Sequence, residues 1–221
     1  MAAERPPRSP SAPVPAIRGS ALIHVVEHVR AVCRKRSIPT GEIERRLGKA
    51  GARLLSVEVL PTDWHPVSVY GALRQFLREV EGNGRDQYTV DSAAESARKI
   101  LAGGLYPQFN FLKQIDHSTA TGDAKTRRDL FVQRVERLST LYNSLFNFAT
   151  TKVTDDPEHD DRVQLEYHDG GVMPHDGRLG VLGFWLEGGV YLTPSRCRSL
   201  WTKIDAEDHY ILCMTRDISA I

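Results

Sequence analysis

The chain has 221 residues, with 29 Lys and Arg against 28 Asp and Glu, so its bulk charge draws it neither to nucleic acid nor to an anionic membrane. A single domain of this length buries roughly 70% of its unfolded surface, which allows a core of ordinary size. Cys33, Cys197 and Cys213 lie far apart without CxxC spacing, which disfavours a disulfide framework and a thiolate zinc knuckle and fits a reducing cytoplasm; no apolar run is long enough to span a bilayer, and no secretory h-region opens the chain.

Residues 1–18 read as a tail, followed by one domain over 19–221. Pro6, Pro7, Pro10, Pro13 and Pro15 each remove a backbone donor and fix φ, so polyproline II or disorder is expected. Pro7 and Pro10, beside Arg5 and Arg8, have the spacing of a ligand for an aromatic-lined groove, although a proline-rich linker needs no such role.

The spacing predicts a first helix from Ser20, as N-cap, to about Arg36. Leu22, Ile23, Val25, Val26, Val29, Val32 and Cys33 form its broad apolar face. Pro39 and Thr40 restart the chain into a short charged helix ending near Gly48 to Gly51. Ser56 to Leu60 is apolar but too short to assign. Pro66 fits the first turn of a third helix carrying Val69, Tyr70, Leu73, Phe76, Leu77 and Val80, and Gly82-Asn83-Gly84 stops it. Trp64 is expected to be buried at that helix entrance, as a staple.

A small-residue helix follows, with Ala93, Ala94, Ala97, Ile100 and Leu101 on one stripe and Gly103-Gly104 as its stop. From Lys125 to Ala149, Phe131, Val135, Leu138, Tyr142, Leu145 and Ala149 step by fours and threes, the signature of a central helix about seven turns long. A polar loop over Thr154 to Asp161 leads to Val163, Leu165 and Tyr167, which alternate with polar residues as in a half-buried strand. Residues 178–192 are apolar and Gly-punctuated and read as a buried helix or a strand pair; His209 to Arg216 reads as a closing strand. The whole is an α+β domain, its helical N-terminal two-thirds packed on a small C-terminal antiparallel sheet containing a strand-helix-strand unit.

His24-Val25-Val26-Glu27-His28 spells H-x-x-E-H, the inverted zincin pattern, in which His24 and His28 would bind zinc and Glu27 would act as general base. No later helix offers an obvious third ligand. The plainer reading makes these residues the wet side of an amphipathic helix, with Glu27 paired to Arg30. The acidic run Asp155 to Asp161 lacks the spacing of a calcium loop. Lys125, Arg127, Arg128, Arg134 and Arg137 form a basic stripe, but Asp129 and Glu136 interrupt it, so a solvated face is expected and nucleic acid is not. Gly188-Gly189 lacks the Lys-Ser/Thr of a phosphate loop. Cys197, between Arg196 and Arg198, has no histidine near it in sequence.

Two resemblances accompany these readings. The Ile17-Arg18-Gly19-Ser20 opening and the Trp64-His65-Pro66 step resemble a paralogue-rich myxobacterial family, which implies an architecture rather than an activity. The element order, with Gly183-Phe184-Trp185-Leu186-Glu187, also resembles the wider group of haem-based nitric-oxide sensors, vinyl-reductase-like ligand domains and vesicle-tethering subunits. Members of the haem branch hold the propionates with Tyr-x-Ser-x-Arg. This chain has none, Tyr70-Gly71-Ala72-Leu73-Arg74 being the nearest, so no haem and no other cofactor is expected. The ligand-domain relatives imply an apolar cavity between central helix and sheet, with Tyr142, Phe146, Phe184 and Trp185 as its candidate lining. The reading is a non-catalytic, cytoplasmic regulatory or small-ligand-sensing module, taking a hydrophobic small molecule and acting as a homodimer or with a protein partner. A metal-dependent hydrolase and a protein-interaction scaffold are the alternatives.

Overall fold

A short N-terminal strand, β1 (Ala16–Arg18), pairs antiparallel with β2 (Trp64–Pro66), setting Ile17 opposite His65. The computed structural model describes residues 14–102, 124–155, 162–192, 199–205 and 209–216. Ile17 is fully buried and bridges to Phe146, while the Ala16 amide donates to Asn147 Oδ1 at 2.7 Å and the Asn147 amide donates back to the Ala16 carbonyl at 3.2 Å. The expected tail is therefore too long: residues 14–18 belong to the domain, and residues 1–13, with the PxxP spacing, lie outside the described residues. The prolines mislead because Pro15 still offers a carbonyl, which accepts from the Val67 amide at 3.0 Å.

Helix α1 (Gly19–Lys35) begins one residue before the expected start, with Arg18 in the N-cap position and Ser20 buried in the first turn. Its cap is backbone rather than a serine hydroxyl. The Gly19 amide donates to the Asp63 carbonyl at 2.8 Å and the Ser20 amide to the Pro61 carbonyl at 3.1 Å, so the loop before β2 satisfies donors that a helix start leaves open. Only glycine fits at 19, because a Cβ there would collide with the Leu60 carbonyl.

Helix α2 (Thr40–Leu54) is interrupted at Gly48, whose φ of 67° lets the chain turn and run on to Leu54, beyond the expected end. Arg30 reaches across from α1 and donates to the carbonyls of Leu54 at 2.8 Å, Leu55 at 3.0 Å and Val57. The expected Glu27–Arg30 pair is thus not formed. Three open carbonyls at a helix end engage the guanidinium fork together, and an exposed i,i+3 ion pair is worth too little to compete.

Helix α3 (Val67–Val80) follows Pro66, which occupies the N-cap position rather than the first turn. Its end is the predicted one: the Glu81 and Gly82 amides fold back onto the Leu77 carbonyl, and Asn83 and Gly84 take positive φ. Trp64 overturns the expectation. It is 44% exposed, with the Arg18 guanidinium 4.5 Å from its ring centroid, because short β2 turns the indole toward the cationic end of β1 instead of the α3 core.

Helix α4 (Asp86–Ala102) buries Ala93, Ala97 and Ile100 as predicted, whereas the side chain of Leu101 and the Gly103-Gly104 stop lie outside the described residues. Helix α5 (Ala124–Leu145) buries Val135, Leu138, Tyr142 and Leu145. It ends four residues before Ala149, because Phe146 and Asn147 are drawn off to β1.

Strands β3 (Thr150–Asp155), β4 (Arg162–His168), β5 (Ser199–Asp205) and β6 (His209–Arg216) form one antiparallel sheet in the order β3-β4-β6-β5. Helix α6 (His175–Leu192) connects β4 to β5, which settles the 178–192 ambiguity in favour of a buried helix. Edge strand β3 docks on α5: Asn143 Oδ1 accepts from the Thr151 amide at 2.7 Å and its Nδ2 donates to the Thr151 carbonyl at 3.2 Å. One side-chain amide thereby replaces a missing neighbouring strand. The fold is α+β, with the helices leading and the larger sheet last, as the sequence indicates.

Candidate functional site

A cavity of about 30 Å³ lies where α1, α3, α4, α5 and α6 converge, next to β1. Aromatic and small side chains make most of its wall. Tyr142 comes from α5, Phe146 follows that helix, Phe184 comes from α6 and Tyr70 from α3, while Ala93 and Ala97 of α4 leave the space open. Arg74, one turn beyond Tyr70, is the only charged residue of this described lining.

The cavity has its shape because α6 approaches its neighbours through glycine. A Cβ at Gly180 would collide with the Tyr70 hydroxyl, and one at Gly183 with the Val90 carbonyl and with Ala93 Cβ at 2.7 Å. Glycine inside a helix costs about 0.5–1 kcal/mol relative to alanine, a cost offset here by the packing of helix against helix.

Of the four expected lining residues, Tyr142, Phe146 and Phe184 line the cavity. Trp185 does not; it stands one layer back, fully buried, its ring 5.3 Å from Tyr142 and 5.6 Å from Phe184 between centroids. Tyr142 is the hub of the cluster, also meeting Phe146 at 4.8 Å and Tyr167 at 5.9 Å. Sequence reasoning misses Arg74 as a site residue, although the Tyr70–Arg74 pair is the nearest approach to an anion-holding motif.

The H-x-x-E-H residues lie elsewhere, on a groove of about 330 Å³ between α1 and α4, with Ser92, Glu95 and Lys99 opposite. His24 Nδ1 is 3.5 Å from Glu27, while His28 Nε2 is 2.8 Å from Glu81 Oε2, so the two rings serve different carboxylates. Among the described residues no three His, Cys, Asp or Glu side chains gather as a metal site requires. Tyr88 donates to the same Glu81 oxygen at 2.6 Å; that bond first, and His28 next, hold the Glu81 carboxyl below the usual carboxylate range against the effect of burial.

The remaining polar expectations divide. Arg134 is buried rather than part of a solvated stripe, Asp129 and Arg137 are exposed, and the side chains of Lys125, Arg127 and Arg128 lie outside the described residues. So do Asp156 to Asp161, the side chain of Asp155, and Cys197. Burial raises the Cys33 thiol above its ordinary value, which keeps it protonated and inert. No described helix is long and apolar enough to cross a membrane.

A helical N-terminal part wrapped on a C-terminal antiparallel sheet, with a cavity among the helices, defines the class of α+β domain to which the fold belongs. No family model matches the chain, and no curated protein matches it in sequence. Solved H-NOX domains share its fold. A mutant of the T. tengcongensis H-NOX superposes with a TM-score of 0.55 at 9% identity, over 91% of this chain and 98% of that one. The S. oneidensis H-NOX protein in its Fe(II)NO ligation state gives 0.53 at 12% identity, over 91% and 99%. The unliganded Fe(II) H-NOX from K. algicida gives 0.52 at 11% identity, over 91% and 97%. The resemblance in pattern to haem-nitric-oxide domains is thus a resemblance in fold.

That fold implies haem, and the described residues do not fit one. Ligand pockets usually enclose about 300–1,000 Å³, whereas this cavity holds about 30 Å³. Haem iron takes His, Cys, Met or Tyr as axial ligand, and of these the described lining offers only the phenols of Tyr70 and Tyr142.

Proposed function

We propose that the protein is a non-catalytic regulatory module that senses a small ligand in the cavity bounded by Tyr70, Tyr142, Phe146 and Phe184. The observation that carries this reading is the open space itself, kept at the junction of five helices where larger side chains would pack solidly. Such a module acts from the cytoplasm, as a homodimer or on a protein partner. Methyl NMR of the whole chain, titrated with small neutral and charged fragments, tests it. Saturable shifts confined to Ile100, Leu145 and Val181, and lost on filling the space with Ala97→Val, are expected. A library that moves none of these methyls overturns it.

The scaffold reading retains one favourable observation, the exposed Trp64 with Leu60 and Val57 also exposed in the preceding loop. Aromatic residues in that position anchor protein interfaces. Light scattering of wild type and Trp64→Ala separates the two: loss of an oligomer in the variant assigns assembly to this surface.

A further inference from the structure

Arg74 is only 4% exposed, yet it has little to hold its charge. Nη1 donates to Ser92 Oγ at 3.3 Å, and Ser92 in turn donates to the Thr89 carbonyl at 3.2 Å. The guanidinium carbon stands 5.4 Å from the Tyr70 ring centroid. Among the described residues Nε is buried without a hydrogen-bond partner, and no carboxylate forms an ion pair with Arg74. Arginine remains charged in proteins, and a buried charge lacking its counter-charge is destabilising. An anion bound in the cavity would neutralise this charge, since Arg74 stands in the cavity wall.

The geometry limits which anion. Nη1 is engaged by Ser92, and the planar fork of a guanidinium matches two oxygens of a planar oxyanion side-on. A volume of about 30 Å³ leaves room for about two water-sized centres, so the anion has few atoms. Its other described neighbours include Tyr142, Phe146 and Phe184, and none of the described lining supplies a second cation. A monoanion fits and a phosphate does not.

Resting on the sensing reading above, we infer that the cavity binds a small planar oxyanion, a carboxylate or nitrogen oxyanion of three or four heavy atoms, held side-on by Arg74. Gly180 belongs to the same device, because a Cβ there would stand 3.5 Å from Arg74 Nε and displace the Tyr70 hydroxyl.

Thermal melts of the full chain in sodium formate, acetate or nitrite, each against chloride at equal ionic strength, test the inference. A saturable rise of several degrees with at least one oxyanion is expected in wild type, reduced in Arg74→Lys, which keeps the charge but loses the fork, and absent in Arg74→Met. Which salt acts separates carboxylate from nitrogen oxyanion. Equal rises in all three proteins mark a general salt effect and overturn the inference, as does no rise at all. Should the variants not fold, the Arg74 Nε–H resonance of wild type, assigned by its proximity to the Tyr70 ring, is the second readout. It must shift saturably with the oxyanion and not with chloride. Neutral fragments that bind where no oxyanion does overturn this inference and leave the sensing reading standing; if neither binds, both fall.

Discussion

His28 and Glu81 meet at 2.8 Å across the gap between α1 and the end of α3, and Tyr88 joins them on the same carboxylate oxygen from the first turn of α4. One carboxylate therefore ties together three of the helices that enclose the cavity. It also gives the fold a dependence on pH. Because the folded Glu81 carboxyl lies below its ordinary value of 4.5, its contribution is fully present above the unfolded value and is lost as pH falls through the folded one. The stability difference between wild type and Glu81→Gln is expected to shrink as pH falls below about 4.5. Urea melts at stepped pH measure it, and a difference that grows on acidification contradicts the assignment.

Gly19→Ala forces a Cβ into the Leu60 carbonyl, an atom fixed by the loop that caps α1. A loss of about 1–3 kcal/mol is expected, as for overpacking in a core. Gly41→Ala is the matched control, since nothing lies within 4 Å of its Cβ position in α2, and it should gain about 0.4–1 kcal/mol. Denaturant midpoints of opposite sign are the expected result.

Trp64→Ala removes an indole that touches Arg18 from the solvent side. Its cost is expected near 0.5–1 kcal/mol, the range of an exposed cation–π contact. A buried staple would instead cost about 3–5 kcal/mol. Equilibrium unfolding of the single variant distinguishes the two.

Two ion pairs of similar length should differ sharply. Asp176 is buried and accepts from Arg78 Nε at 2.7 Å and Nη2 at 3.2 Å, whereas Glu187 pairs with Arg98, whose side chain is exposed, at 2.8 Å. Asp176→Ala is expected to cost about 1.5–3 kcal/mol, the range of a hydrogen bond to a charged group, since Arg78 keeps only Asp86 at 3.5 Å as a counter-charge. Arg98→Ala should cost no more than about 1 kcal/mol. Chemical denaturation of both variants checks the ranking.

Protein purified in the presence of zinc is expected to carry no stoichiometric metal, since His28 is committed to Glu81 rather than to a point shared with His24. Elemental analysis decides this, and one zinc per chain lost in His24→Ala/His28→Ala would revive the hydrolase.

Helices are legible in the sequence wherever one face carries the core at a period of 3.6, as in α1, α3 and α5. Strand β3 is not, because Thr150-Thr151-Lys152-Val153-Thr154-Asp155 has only Val153 as a strong apolar signal, and its inward Thr151 is satisfied by Asn143. The aromatic cavity wall is anticipated only through the resemblance to ligand domains, which implies Tyr142, Phe146 and Phe184 and also Trp185, one layer back. Trp64 misleads because local sequence shows which residues are near a helix entrance but not which way a three-residue strand faces. Arg74 stays hidden for a related reason: a cation inside an apolar stripe reads as a solvated interruption until the neighbouring helices are in place.

The bonds between Ala16 and Asn147 join residues 131 apart in the chain. At a synthesis rate of about 5–20 residues per second, the N-terminal strand waits roughly 6–26 s after emerging before its partner exists. Through that interval α1 carries an apolar face lacking its later partners, and Ile17 has no Phe146 to bridge. Closure of β1 on Asn147 is therefore a late, long-range step, the kind of contact whose loop entropy is lost before the contact repays it. A nascent chain halted before residue 184 still lacks Phe184 from the cavity wall, so the cavity is complete only after more than four-fifths of the polypeptide has been made.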